Sequence, residues 1–359
     1  MTLRLRLPLR APALPGGRLR TAAPLGLAAL LLAATPAALG AAPQEKKPGA
    51  ASATAAAPAG PAAAGPATQA APAEIPPFEV AEDRKAGIWF GRFGLTNCSW
   101  IDMGDGIAVI DTGASEGDAK NLVAQIAGTT SKKPVRWLVL THLHGDSNSG
   151  LPLFLGPDVT IFVHERSADG TAAAVASLVK SGRRAAVVGV SDRTVLSTST
   201  RRLELIASPG PAHSGADLMA FLPDAAMAWV GDLVTPMRCP MTSDPQCDPW
   251  GWTGVLSTLE ALHPATIVAT RGDASLDPTT EIGKTKGYLI RLQELLAEFK
   301  AKGYPEARVS GELSIRKLKD YCPVQLDAIN ALSIYRRLGA DGKIAPAAQP
   351  ERTTKVPKK

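Results

Sequence analysis

Thr141-His142-Leu143-His144-Gly145-Asp146-Ser147-Asn148-Ser149-Gly150 is the stretch on which the reading of this chain turns. It follows the apolar run Trp137-Leu138-Val139-Leu140, which reads as a short buried strand. Backbone that stays extended past a strand end points alternate side chains the same way. On that expectation His142, His144 and Asp146 project from one side of one loop. Two neutral imidazoles and a carboxylate so placed make a site for a first-row metal, with zinc the leading candidate.

Working upstream, Gly87 to Phe93 and Cys98 to Asp102 look like two strands of a meander, and Gly106 to Gly113 is a third that ends in Asp111-Thr112-Gly113. Glu116 to Gly128 carries Leu122, Val123 and Ile126 at helical spacing and predicts an amphipathic helix. Pro134 to Leu140 is the next strand. Strand, helix, strand, then polar residues past the strand end is how α/β architectures place a site.

Downstream, Val159 to His164 is another buried strand, and Ala172 to Lys180 predicts a helix. A basic, irregular segment around Arg183-Arg184 leads to the strand Arg202 to Ile206. Pro209-Gly210-Pro211-Ala212-His213-Ser214-Gly215 is a rigid turn presenting one histidine. Strands Leu218 to Leu222 and Ala226 to Asp232 follow, the second ending in an acid. A helix at Thr253 to Leu262 and a strand at Thr266 to Thr270 come next. A long helix near Lys284 to Lys302 and two weaker helical segments, near Ile315 and over Gln325 to Leu338, complete the pattern.

The loop closely resembles the Thr-His-x-His-x-Asp-His-x-x-Gly signature of the metallo-β-lactamase-fold hydrolases. The Asp-Thr-Gly strand end, the Pro-x-His-Ser-Gly turn and the Gly231-Asp232 strand end match in the same order, over roughly Phe78 to Gly303. The resemblance implies an α/β fold, the αβ/βα four-layer sandwich of two mixed β-sheets with helices on the outer faces. It gives Asp111 a structural role beneath the loop. It assigns His142, His144 and His213 to one metal, an open site of three imidazoles plus water. Such a site lowers the pKa of its water to about 7, so that zinc-bound hydroxide is available at neutral pH.

The family's second metal takes the loop Asp, the adjacent His, a bridging acid and a final His. Asp146 and Asp232 occupy the first and third of these metal positions. Ser147 replaces the adjacent His, and Ala269-Thr270-Arg271-Gly272 places Arg271 where the final His belongs. A guanidinium has no lone pair for a metal and is always charged. The expectation is therefore one zinc ion rather than two. Arg271 would pair with Asp146 or Asp232, or clamp an anionic substrate group, and the two carboxylates are candidate catalytic bases. Asp273 is a weaker candidate for the missing ligand. His164 and His263 read as structural. Trp250 and Trp252 read as packing at a helix start, or else as an apolar substrate platform.

The implied function is an exported metal-dependent hydrolase acting on an ester, thioester, lactone, lactam or phosphoester of a small molecule. The alternative is a degenerate member of the fold that binds without cleaving. Asp232 stands where one branch of lactamases has a metal-binding cysteine, which speaks against a dedicated β-lactamase.

Composition sets the compartment. Residues 1–40 hold Arg4, Arg6, Arg10, Arg18 and Arg20, no acid, an apolar run from Leu25 to Ala34, and small residues near Gly40. This predicts a cleaved signal peptide, hence periplasmic or secreted localisation without a stable membrane anchor. Residues 41–76, dominated by Ala and Pro, predict a disordered linker. The catalytic domain is expected over 77–345 and a basic, disordered tail over 346–359. The net charge of +6 comes mostly from the leader. The rest is near neutral, which argues against a nucleic-acid partner. Cys98, Cys239, Cys247 and Cys322 suit an oxidising compartment, and Cys239–Cys247 is a possible bridge beside the site. Oligomeric state and substrate identity are not encoded in any motif.

Overall fold

Strand β3, Thr96–Asp102, is buried along nearly its whole length. Its side chains alternate between two apolar clusters, as strand geometry requires. Cys98 and Trp100 join Val109, Leu122, Ile126 and Ile161 on one face. Ile101 joins Leu205, Leu218, Trp229 and Val268 on the other. A strand apolar on both faces has to lie between two covering layers. The computed structural model shows those layers; it describes residues 78–79, 87–178, 184–236, 238–315, 318 and 327–345.

One sheet has seven strands in sequence order: Phe78–Glu79 (β1), Ile88–Phe93 (β2), β3, Ile107–Ile110 (β4), Val135–Val139 (β5), Thr160–His164 (β6) and Ala186–Val190 (β7). β1 to β4 pair antiparallel, and β4 to β7 pair parallel. Parallel neighbours need crossovers. Glu116–Thr129 (α1) and Glu165–Ser177 (α3) supply two of them, and bury Leu122, Ile126 and Val175 against the outer face. A single turn of helix, Gly145–Asn148 (α2), lies between them in sequence.

The second sheet has the order β12-β11-β10-β9-β8. It comprises Arg193–Ser197 (β8), Arg202–Ala207 (β9), Leu218–Leu222 (β10), Met227–Gly231 (β11) and Thr266–Ala269 (β12). All its pairs are antiparallel except β11 with β12. Met227 and Trp229 of β11 face the first sheet. Ala228 and Val230 face helices Pro249–Ala261 (α4), Pro278–Ala301 (α5), Glu306–Ile315 (α6) and Asp327–Arg337 (α7). The order helices, sheet, sheet, helices is the expected four-layer sandwich of two mixed sheets.

Some local expectations need correction. The segment after Arg184 is not irregular, because it forms β7 and β8. Each is an edge strand with one partner, and their side chains are largely exposed. Short edge strands of this kind lack the buried apolar run that marks a central strand. Helix α3 begins at Glu165 rather than Ala172, because the His164 ring accepts a hydrogen bond from the Arg166 N–H at 3.0 Å and caps it. Helix α5 begins at Pro278, capped by Asp277, ahead of the expected Lys284. Among the described residues no helix is long and apolar enough to cross a membrane. The expected leader (1–40), linker (41–76) and tail (346–359) lie outside the described residues.

Candidate metal centre

The site collects at the C-terminal ends of strands. Asp111 follows β4, the histidine loop follows β5, Asp232 follows β11 and Arg271 follows β12. Asp111 takes a left-handed backbone conformation, φ 57°, which few non-glycine residues adopt. Its carboxylate repays that strain by accepting from the Thr141 N–H at 2.9 Å, the Thr141 hydroxyl at 2.7 Å and the Asn148 amide at 3.2 Å. Asn148 also donates to the His142 carbonyl at 2.6 Å. The buried carboxylate therefore holds both ends of the loop. Burial pushes Asp111 up to about 7, against the pull of these hydrogen bonds. Gly231 brings the second sheet close: it has φ 58°, and a Cβ there would stand 3.0 Å from Thr141.

The loop is extended through His144 and then coils into α2. His142 and His144 thus share a side, whereas Asp146 does not continue the alternation. The rings of His142, His144 and His213 meet edge to face, with centroid separations of 4.8, 5.1 and 4.9 Å. Each offers one ring nitrogen to a common point, and the three nitrogens lie within 4.8 Å of one another.

Hydrogen bonds behind the rings decide which nitrogen that is. His142 Nδ1 lies 3.0 Å from the Thr141 hydroxyl, whose own proton goes to Asp111. His213 Nδ1 lies 3.1 Å from the Met241 carbonyl. His144 Nε2 lies 2.7 Å from Asp244. Every outer nitrogen therefore faces an acceptor and carries its proton. The inner nitrogens, Nε2 of His142, Nδ1 of His144 and Nε2 of His213, then carry lone pairs. His213 Nε2 and His144 Nδ1 stand 3.2 Å apart, an arrangement suited to sharing a cation. The donor set and its outer shell fit a zinc-type ion.

Asp232 is buried beside these rings, with Oδ2 at 3.8 Å from His142 Nε2 and 3.6 Å from His213 Nε2. Its Oδ1 is buried without a hydrogen-bond partner. Arg271 bridges the two carboxylates, donating from Nε to Asp232 at 3.1 Å and from Nη2 to Asp146. Burial alone would raise the Asp232 pKa. The positive charge of His142 and His213 when protonated, together with the Arg271 guanidinium and its hydrogen bond, outweighs it and holds the carboxyl below its usual range. Ser147 is fully buried, with its hydroxyl 3.4 Å from His142 Nε2. Asp273 turns away and pairs with Arg92 at 2.5 Å. His164 is a buried structural histidine whose Nε2 contacts the Ser208 carbonyl at 2.9 Å. Trp252 is packing: its indole donates to the Leu233 carbonyl at 2.9 Å, and its ring meets His213 at 5.4 Å. The Cys239–Cys247 bridge does not form, because Cys247 is a buried free thiol and Cys239 is disulfide-bonded to another cysteine.

Sequence reasoning missed Asp244. It sits 100 residues from His144 in a loop with no motif of its own. Burial alone would lower the His144 pKa, but the hydrogen bond and charge of Asp244 raise it above 6.5. A proton and a metal compete for the same Nδ1, so metal affinity should fall as pH drops through that raised value. Asp244→Asn removes the main stabilisation of the imidazolium, and should flatten this dependence. It should also weaken metal binding by about 10- to 100-fold at neutral pH. Metal titrations at several pH values check both effects.

His144, Asp146, His213, Asp232, Arg238 and Arg271 line a cleft of about 610 Å³. A four-layer sandwich with imidazoles converging at its strand ends defines a class of metal-dependent proteins. The chain belongs to the metallo-beta-lactamase superfamily, whose family profile matches residues 91–271. No curated protein matches the sequence. Among solved structures, the stereoselective inverting sec-alkylsulfatase Pisa1 from a Pseudomonas species aligns with TM-score 0.58 and 18% identity, covering 73% of this chain and 50% of the sulfatase. This chain thus spans half the sulfatase's length. A metallo-beta-lactamase from Pontibacter korlensis aligns with TM-score 0.48 and 19% identity, over 60% of this chain and 99% of that one. One from Erythrobacter litoralis aligns with TM-score 0.48 and 19% identity, over 62% and 99%. These likenesses are of fold.

Proposed function

We propose that the protein is an exported hydrolase that holds one zinc ion on His142, His144 and His213. The observation that carries this reading is the convergence of three lone-pair nitrogens, each fixed by an acceptor behind its ring. An ion held there supplies Lewis acidity and lowers the pKa of water beside it.

The chain's own groups do the rest. Arg271 lies between Asp146 and Asp232, where a second ion would otherwise neutralise the same two carboxylates. A fixed guanidinium repels a second dication and needs no loading. Asp232, whose Oδ2 stands 3.8 Å from His142 Nε2 and 3.6 Å from His213 Nε2, is the carboxylate placed to accept the proton of the attacking water. Asp146 is half exposed and its Oδ2 is tied to Arg271, so its contribution is secondary. With Arg271 committed to both carboxylates, the exposed Arg238 on the cleft wall is the guanidinium open to an anionic substrate group.

The test is metal content of the purified chain, together with a panel of chromogenic carboxylic esters, thioesters, lactones, lactams and phosphoesters. Sulfate esters join the panel because one fold neighbour is an alkylsulfatase. One ion per chain, and hydrolysis lost in His144→Ala, are the expected results. Two tightly held ions, or activity indifferent to that substitution, would overturn the reading. The second reading, binding without cleavage, draws on the Arg271 bridge that occupies both carboxylates. One bound ion with no hydrolysis across the panel would favour it.

A further inference from the structure

We infer that Asn330, on helix α7, is a positioning residue for the histidine site, acting through the segment that links β11 to α4. Residue 330 lies beyond the stretch that matches the superfamily, residues 91–271. The inference rests on the proposed metal site and adds to it an element from outside that matched stretch.

Asn330 is completely buried, as is Thr242. A buried amide is costly unless every polar atom is satisfied. Here they all are. The Asn330 amide nitrogen donates to the Pro240 carbonyl at 2.7 Å and to the Tyr288 hydroxyl at 3.0 Å. Its amide oxygen accepts from the Thr242 N–H at 3.2 Å. Its backbone carbonyl accepts from the Thr242 hydroxyl at 2.8 Å. One turn on, the Ser333 hydroxyl donates to the Thr242 carbonyl at 2.7 Å. Helix α7 therefore grips the chain on both sides of Met241.

Met241 C=O and Thr242 N–H belong to one planar peptide unit. Fixing the N–H direction fixes the C=O direction, which points the opposite way. That C=O is the group 3.1 Å from His213 Nδ1. A single line of polar groups thus runs from the Asn330 amide through one peptide plane to the outer edge of the His213 ring. It sets the tautomer that turns the Nε2 lone pair inward. Two residues further along the same segment, Asp244 orients His144. The Arg337 guanidinium, also on α7, closes the segment by bonding the Cys247 carbonyl.

The experiment has two readouts. The first is titration of the chelator-stripped full chain with cobalt(II), read by its visible absorption. The second is the ring nitrogen NMR of His213 in the metal-free chain. Asn330→Ala should weaken cobalt binding about tenfold, the lower end for partners of ligating histidines. It should also shift the His213 nitrogens toward a mixture of tautomers. Ser333→Ala, a gentler change, should move both readouts in the same direction by less. Tyr335→Phe is the control: it removes hydroxyl bonds from the same helix to the Phe299 and Tyr304 carbonyls. It should lower the melting temperature and leave cobalt affinity and ring shifts unchanged.

The inference is overturned if Asn330→Ala and Ser333→Ala match the parent in both readouts, or if Tyr335→Phe moves them as far. If Asn330→Ala does not fold, Ser333→Ala decides. A parent chain that binds no cobalt sinks the metal-site reading, and the His213 ring shifts then decide the positioning claim alone.

Discussion

Replacing His213 with alanine should leave a folded chain that retains no metal after dialysis. Two imidazoles from one loop remain, and two neutral donors make an incomplete site for zinc. The loss should exceed the roughly 100-fold upper end seen when an outer partner of a ligating histidine is removed. Stability gives a second view. A ligand at about 100 times its dissociation constant stabilises the folded state by roughly 2.7 kcal/mol. The parent's melting temperature should therefore rise when zinc is added, and that of His213→Ala should stay flat. The fold itself should survive, because His213 sits on a turn between β9 and β10 and its deletion removes no strand pairing. A variant that still carries one ion per chain would show that the ring makes no bond to the metal.

Arg271→Ala should be the most destabilising change at the site. Among the described residues the guanidinium is the one fixed cation on Asp232, a carboxylate that is only 3% exposed. Removing one partner of a buried pair strands the other charge, at a cost of about 3 kcal/mol. The Asp146 end adds little, because that carboxylate is half exposed and screened by solvent. The complementary construction restores ligands: Ser147→His with Arg271→His should raise the metal content from one ion per chain to two. Equilibrium unfolding of the metal-free chain and metal analysis of the double variant test the two halves. An Arg271→Ala chain as stable as the parent would mean that Asp232 is neutralised by the imidazoles instead.

Much of this was legible in the sequence, and the limits follow from the kind of information a sequence carries. Loop, turn and strand-end motifs give His142, His144, His213, Asp232 and Arg271, because each adjoins a strand whose apolar run is plain. The sandwich was legible only through the family resemblance of the four ordered motifs; that β3 is apolar on both faces is visible in the structure. Asp146 was harder. Alternation along an extended chain fails where the backbone coils, and a four-residue helix leaves no periodicity to read. β7 and β8 were missed because edge strands bury little. Asp244 and Asn330 were missed for a different reason. Their roles are set by distance in space, with 100 residues between Asp244 and His144 and 88 between Asn330 and Thr242. No local pattern announces such partners.

The order of these residues along the polypeptide has one more consequence. When synthesis has passed Gly231, all three imidazoles already exist, but Met241 and Asp244 do not. Helix α7, which clamps the segment bearing them, is made later still. On the positioning role proposed for α7, two of the three rings acquire their final orientation only when that helix docks, which would make ion capture a closing event in maturation.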